Sequence, residues 1–147
     1  MATKPPTCVA SLGLENSELP DSSITASSRL SDNFRASQGR LYQQGRWVAK
    51  ISGAEQWFQV DFVNRTKVTG VAIQGSAYWL HWVTKFKLAY SYDREFFSDY
   101  REDGDNAKVC SVSRKSRPFK SAFFRDRVRG GTRSKNDNPY ILLIDTP

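Results

Sequence analysis

The 147-residue chain has one histidine, two cysteines and one methionine, and nowhere reaches the run of about 20 apolar residues that a membrane-spanning helix requires. Two cysteines and one histidine fall short of a structural zinc site. No serine or cysteine has a neighbouring base in the sequence, and no convergent cluster of titratable groups marks a catalytic pocket, so an enzyme is the poorest reading. The first seven residues, Met1 to Thr7, lack the apolar stretch that centres a secretory signal. That leaves a cytosolic protein, or a fragment or incomplete gene model of a secreted one. A sustained 3.6-residue apolar period is missing as well, which argues against a helical bundle.

What is present points to strands. Aromatic residues make up 13% of the chain and accompany several Val/Ile/Thr runs, favouring an all-β class. The length suits one domain able to bury about two-thirds of its unfolded surface. The net charge of +7 invites a nucleic-acid reading until it is divided along the chain. Residues 1–107 hold 12 Lys+Arg against 12 Asp+Glu, and residues 108–147 hold 10 against 3, so the whole excess lies in the C-terminal part.

The most informative stretch runs from Gln56 to Gly75. Trp57, Gln59 and Asp61 alternate with Phe58, Val60 and Phe62, and Val68, Gly70 and Ala72 alternate with Thr69, Val71 and Ile73. Each half has the period of a strand, and the short link between them predicts an antiparallel hairpin at the centre of a sheet. Ile24–Ser28 reads as a short strand before it, and Val83–Ser91 as a cleanly alternating strand after it. Asp93–Glu95 makes a turn, and Phe96 and Phe97 begin another short element. Residues 29–45 are rich in Ser, Asp, Asn, Gln and Gly, which is loop chemistry. Beyond Lys108 the composition becomes that of a flexible basic segment, within which only Tyr140–Ile144 has the character of a strand.

An ordered series of landmarks resembles the coagulation factor V/VIII type C domain, also called the discoidin domain. The series comprises Cys8, Leu12-Gly13-Leu14-Glu15, Ile24–Ser28, Arg40-Leu41, Gly45, Trp47, Gln56–Asp61, Val68–Gly75, Trp82–Leu88, Tyr90-Ser91 and Tyr100-Arg101. The resemblance covers residues 8 to about 108 and implies an N-terminal extension at 1–7, a discoidin domain at 8–108 and a divergent basic tail at 109–147. It further implies an eight-stranded jelly-roll β-sandwich (galactose-binding-domain-like) with loops projecting from one end. Members of the family are extracellular or cell-surface modules, without catalytic apparatus, that bind anionic phospholipid, glycans or protein partners, often in adhesion. The family normally closes with further strands and a final cysteine bonded to the first, and nothing after Lys108 resembles that ending. The expectation is therefore a sandwich incomplete at its C-terminal end, with truncation or missplicing left open as the reason. Cys8 and Cys110 form one disulfide in an oxidising compartment or remain thiols, and their spacing does not choose.

Three loops are candidate ligand sites. In the first, Leu30 and Phe34 are apolar tips, and Arg29 and Arg35 are suited to a phosphate or acidic group. In the second, Tyr42, Gln43 and Arg46 suit a hydroxyl-bearing ligand, with Trp47 assigned to the core. In the third, Tyr78, Trp79, Leu80 and His81 precede Trp82, a density of aromatic side chains fit to enter a bilayer interface or stack on a sugar. Arg40 and Asp61 are read as a buried or semi-buried structural pair. Asn64-Arg65-Thr66 is a glycosylation sequon, meaningful only in a secreted chain. No cofactor is called for, and calcium is left open. The expected partner is a membrane surface phospholipid, a glycan or a cell-surface protein. The alternative is an intracellular protein whose basic tail binds nucleic acid or other acidic polymers.

Overall fold

The computed structural model describes residues 11–64, 66, 68, 71–75, 83–101, 106, 109–111 and 140–145. Its strands are β1 (Ile24–Ala26), β2 (Trp57–Asp61), β3 (Lys85–Ser91), β4 (Ser98–Asp99), β5 (Val109–Ser111) and β6 (Tyr140–Asp145). All pairings are antiparallel, in one sheet ordered β1-β2-β6-β3-β4, with β5 also on β3. The described segments outside the strands contain only short 3-10 turns, at Asp21–Ser23, Asp32–Phe34 and Ala36–Gly39.

The period-two pattern of β2 is realised as expected, with Phe58 and Val60 buried and Trp57, Gln59 and Asp61 half-buried. Phe58, Val60, Ile24, Leu19 and Phe62 form one hydrophobic cluster, joined at its margin by Leu12, Leu14, Ala26, Trp47 and Val68. Phe86 and Leu88 of β3 form a second, covered by Val71, Ile73, Val83 and Tyr100. Gly39 lies so close to the first cluster that a Cβ there would sit 2.9 Å from the Phe58 ring.

Two expectations are corrected. The Gln56–Gly75 stretch does not form a hairpin in this sheet, because both edges of β2 are already occupied, by β1 and by β6. The described residues 66, 68 and 71–75 carry no strand. Their apolar members pack against the two clusters instead, which a period-two pattern allows equally well. Nor does the sheet stop at residue 108: Val109–Ser111 pairs with Lys85–Lys87, and Tyr140–Asp145 lies between β2 and β3 in register with both. Tyr140–Ile144 already reads as a strand in the sequence, but its place does not, and there the backbone groups of β2 and β3 find their partners. Cys8 and residues 112–139 lie outside the described residues.

Arg40 and Asp61 are both ion-paired, though not to each other. The buried Arg40 guanidinium donates to the carbonyls of Leu19 (2.7 Å), Leu14 (3.1 Å) and Gly13 (3.4 Å), and to Asp21 Oδ1 (2.8 Å). Asp61 accepts from the Val63 amide at 2.8 Å and pairs with Arg94, tying the end of β2 to the turn after β3. In that turn Asp93 accepts hydrogen bonds from the amides of Phe96 and Glu95 and from the Ser91 hydroxyl, and these hold its carboxyl below the ordinary value of 3.8.

Replacing Arg40 with Ala is expected to lower unfolding free energy by about 3–5 kcal/mol, since it strands buried carbonyls and removes a well-paired buried charge. Asp21→Ala, at a side chain 72% exposed, should cost no more than about 1 kcal/mol. Urea titration followed by tryptophan fluorescence separates the two. The Asp93 carboxylate is favoured by folding, so its contribution is present above pH 3.8 and is lost as pH falls through its lower folded-state pKa. Amide exchange at Glu95 and Phe96 should accelerate in that acid range, and Asp93→Asn should remove most of the pH dependence.

Candidate functional site

β1 leaves the sheet at Ala26, opposite Phe58, and β2 re-enters it at Trp57, so the excursion between them begins and ends at one edge of the molecule. β3 starts at that same end, since Lys87 is in register with Ile144, which is in register with Trp57. Strand direction alone therefore brings the first two candidate loops and the N-terminal approach to β3 together.

The base of the excursion is closed by a hydrogen-bond cluster. The Ser27 amide donates to the Trp57 carbonyl at 2.9 Å, and the Trp57 amide donates to Ser27 Oγ at 3.0 Å. Ser27 and Ser28 hydroxyls both donate to Gln56 Oε1. Trp47 Nε1 donates to the Ser28 carbonyl at 2.8 Å, and its ring lies 5.5 Å from that of Phe58. Trp47 is thus an anchor rather than a ligand contact, as its sequence position implies. The Leu30 amide bonds to the Val48 carbonyl at 2.9 Å and the Lys50 amide to Ser28 Oγ at 3.1 Å, laying residues 48–50 beside 28–30.

On this base the individual candidates sit as follows. Leu30 is 53% exposed. Arg29 is engaged by Asp32 at 3.0 Å in a solvent-exposed pair. Arg35 is exposed, and the described residues give it no ion pair. Phe34 is half-buried, with the Arg46 guanidinium 4.7 Å from its ring centroid, so a cation–π contact joins the first loop to the second. Tyr42 is 59% exposed, has the left-handed φ of 56°, and donates its amide to Gln74 Oε1 at 2.8 Å. Gln43 is exposed, its amide reaching the Glu15 carbonyl at 3.4 Å. Gly45 backs onto Gln38, whose Oε1 would lie 2.1 Å from any Cβ there. Tyr78, Trp79, Leu80 and His81 lie outside the described residues.

Two residues escape sequence reasoning. Ile51, 66% exposed, is a further apolar side chain on the excursion; it reads in sequence as part of the approach to β2. Gln74 looks like one polar position of an alternating run, and only its bond to Tyr42 shows that it braces a loop. Residues 27–56 carry five Lys/Arg against two Asp/Glu; with Arg40 buried and paired to Asp21, the excursion that exposes Leu30, Tyr42 and Ile51 keeps Arg29, Arg35, Arg46 and Lys50 against Asp32 and Glu55. Among the described residues no group of three or more His, Cys, Asp or Glu side chains is placed to hold a metal ion, and no helix is long and apolar enough to cross a membrane.

The profile of the F5/8 type C domain matches residues 23–144. The chain is 41% identical to coagulation factor VIII of Sus scrofa over 103 residues, which is 66% of this chain and 4% of that protein. It is 36% identical to lactadherin of Rattus norvegicus over 137 residues, 83% of this chain and 32% of lactadherin. To the human EGF-like repeat and discoidin I-like domain-containing protein 3 it is 32% identical over 133 residues, 83% of this chain and 26% of that protein. The chain thus spans less than a third of each of these relatives.

A bulky residue at positive φ costs about 1–2 kcal/mol. Tyr42→Gly is therefore expected to leave the domain within about 1 kcal/mol of its original stability, or slightly above it, after allowance for glycine's unfolded-state entropy. A thermal melt checks this, and a large loss would mean that the exposed ring packs on the fold.

Proposed function

The chain belongs to the F5/8 type C domain family, a family of β-sandwiches, and on that footing we propose that it is a non-enzymatic module binding an anionic phospholipid surface through the loop end of its sheet. The observation that carries this is the combination at that end of three exposed apolar side chains, Leu30, Tyr42 and Ile51, with an excess of basic residues. Apolar tips enter the interfacial region, and each Lys or Arg near an anionic surface adds about 1 kcal/mol at low ionic strength. Burying one large apolar side chain fully contributes about 1.5–3 kcal/mol. Three partly exposed ones with two or three cations give reversible rather than permanent attachment.

The surrounding chemistry fits. The Arg46 guanidinium lies over the Phe34 ring, and the solvent-exposed Arg29–Asp32 pair is weak enough to be exchanged for a lipid phosphate. The aromatic segment Tyr78–His81, outside the described residues, precedes β3 in the sequence and has side-chain types suited to a membrane interface. An extracellular or cell-surface setting accords with the family. Glycans and cell-surface proteins are the other ligand classes that such loops serve.

Flotation with vesicles of phosphatidylserine and phosphatidylcholine tests the reading. Binding is expected to require phosphatidylserine, to fall with salt, and to drop on the order of tenfold in Leu30→Ala/Ile51→Ala and in Trp79→Ala/Leu80→Ala. Binding indifferent to both double substitutions would remove the site assignment. The basic stretch cannot be tested by removing residues 108–147, because Tyr140–Asp145 is a sheet strand. Changing Lys and Arg of residues 114–135 to Gln serves instead: abolition of binding by that variant would shift the function to the basic segment.

A further inference from the structure

The loop end is one of two ends of the sheet, and the other carries a feature that ligand binding leaves unused. β2 runs from Trp57 at the loop end to Asp61, a span of about 13 Å at the usual rise per residue. Beyond it the chain turns sharply at Val63, whose φ is 61°. Asp61 fixes that turn, accepting the Val63 amide on one carboxylate oxygen and pairing with Arg94 through the other. The next residue, Asn64, is exposed, its amide folded back onto the Phe62 carbonyl. Among the described residues no hydrogen bond engages its side-chain carboxamide, while its main-chain carbonyl accepts the Thr66 hydroxyl at 2.9 Å. Asn64-Arg65-Thr66 is the chain's single Asn-Xaa-Ser/Thr triplet, with no proline in its middle position.

We propose that Asn64 accepts an N-linked oligosaccharide, displayed at the end of the sheet opposite the ligand loops. The proposal rests on the extracellular reading above, since the modification occurs only in a chain that enters the secretory pathway. The step transfers a glycan from a lipid-pyrophosphate donor. The Asn64 carboxamide nitrogen forms the bond to the anomeric carbon, the bond from that carbon to the pyrophosphate oxygen breaks with its electron pair, lipid pyrophosphate departs, and the amide gives up one proton. The substrate side of this chemistry requires an accessible carboxamide and a hydroxyl two residues on, and the turn presents both. A glycan here also shields Val63, which is 54% exposed. Because the whole length of β2 separates the site from Trp57, the sugar leaves the loop end open.

The full chain behind a cleavable signal sequence, translated with microsomes, tests the proposal. Protease-protected chain is expected to show a raised mass that peptide-N-glycosidase removes, leaving an acid in place of the amide at residue 64. Asn64→Gln and Thr66→Ala should abolish the mass increase, and Thr66→Ser should retain it. Protease-protected chain of unmodified mass, or a mass increase that survives Asn64→Gln, overturns the proposal. Vesicle flotation of the glycosylated and enzymatically trimmed chains is read separately and should agree within about twofold, equivalent to ~0.4 kcal/mol. Equal failure of both to bind lipid would sink the phospholipid reading and leave the glycan assignment standing, whereas strong inhibition by the glycan would overturn its placement away from the loops.

Discussion

β2 and β3 never touch as neighbours; each spends one edge on the same strand, Tyr140–Asp145, and that shared partner is what makes a single sheet of two halves. On one side are β1 and β2 with the cluster around Phe58 and Val60, and on the other β3, β4 and β5 with Phe86 and Leu88. The register runs Phe58 to Leu143 to Leu88 straight across the join. The loop end depends on it, because the excursion belongs to the first half and the approach to β3 belongs to the second. Their proximity is a property of residues far away in sequence.

Within the loop end, rigidity and exposure are assigned to different residues. Trp47, Ser27, Ser28 and Gln56 hold the backbone of the excursion to the sheet through hydrogen bonds and ring packing. Leu30, Tyr42 and Ile51 are then free to stand in solvent without collapsing onto the core. A surface prepared in this way pays little ordering entropy when it meets a ligand. Tyr42 shows the arrangement most clearly: its backbone, in an unfavourable conformation, donates its amide to Gln74, and its ring is exposed.

The sequence is a good guide where burial follows a period and a poor one where pairing is long-range. Alternation finds β2 and β3, and the loop chemistry of residues 29–45 is correctly separated from them, although its two 3-10 turns carry no distinct signal. The hairpin drawn from Gln56 to Gly75 fails because period two specifies that a side chain alternates, not which strand lies alongside. Tyr140–Ile144 is visible as an apolar run, but nothing local says that it enters the middle of the sheet. Arg40 and Asp61 are recognised as structural charges, while their partners, Asp21 with three carbonyls and Arg94, are set by loops whose paths the sequence does not encode locally. At the candidate site, the types of residue are legible from composition; the Arg46–Phe34 stacking and the exposure of Ile51 require the folded chain.

The Arg40 anchor also ties the chain ahead of the family match into the fold. The family match starts at residue 23, yet the guanidinium of Arg40 is buried against carbonyls of Gly13, Leu14 and Leu19. Those carbonyls belong to a stretch with no strand of its own, held in place by a cation reaching out from the next loop. Among the described residues, removing Gly13, Leu14 and Leu19 would take away three carbonyl partners of that buried cation. The strap formed by residues 13–19 lies before the span matched by the family model, and Arg40 ties it to the fold.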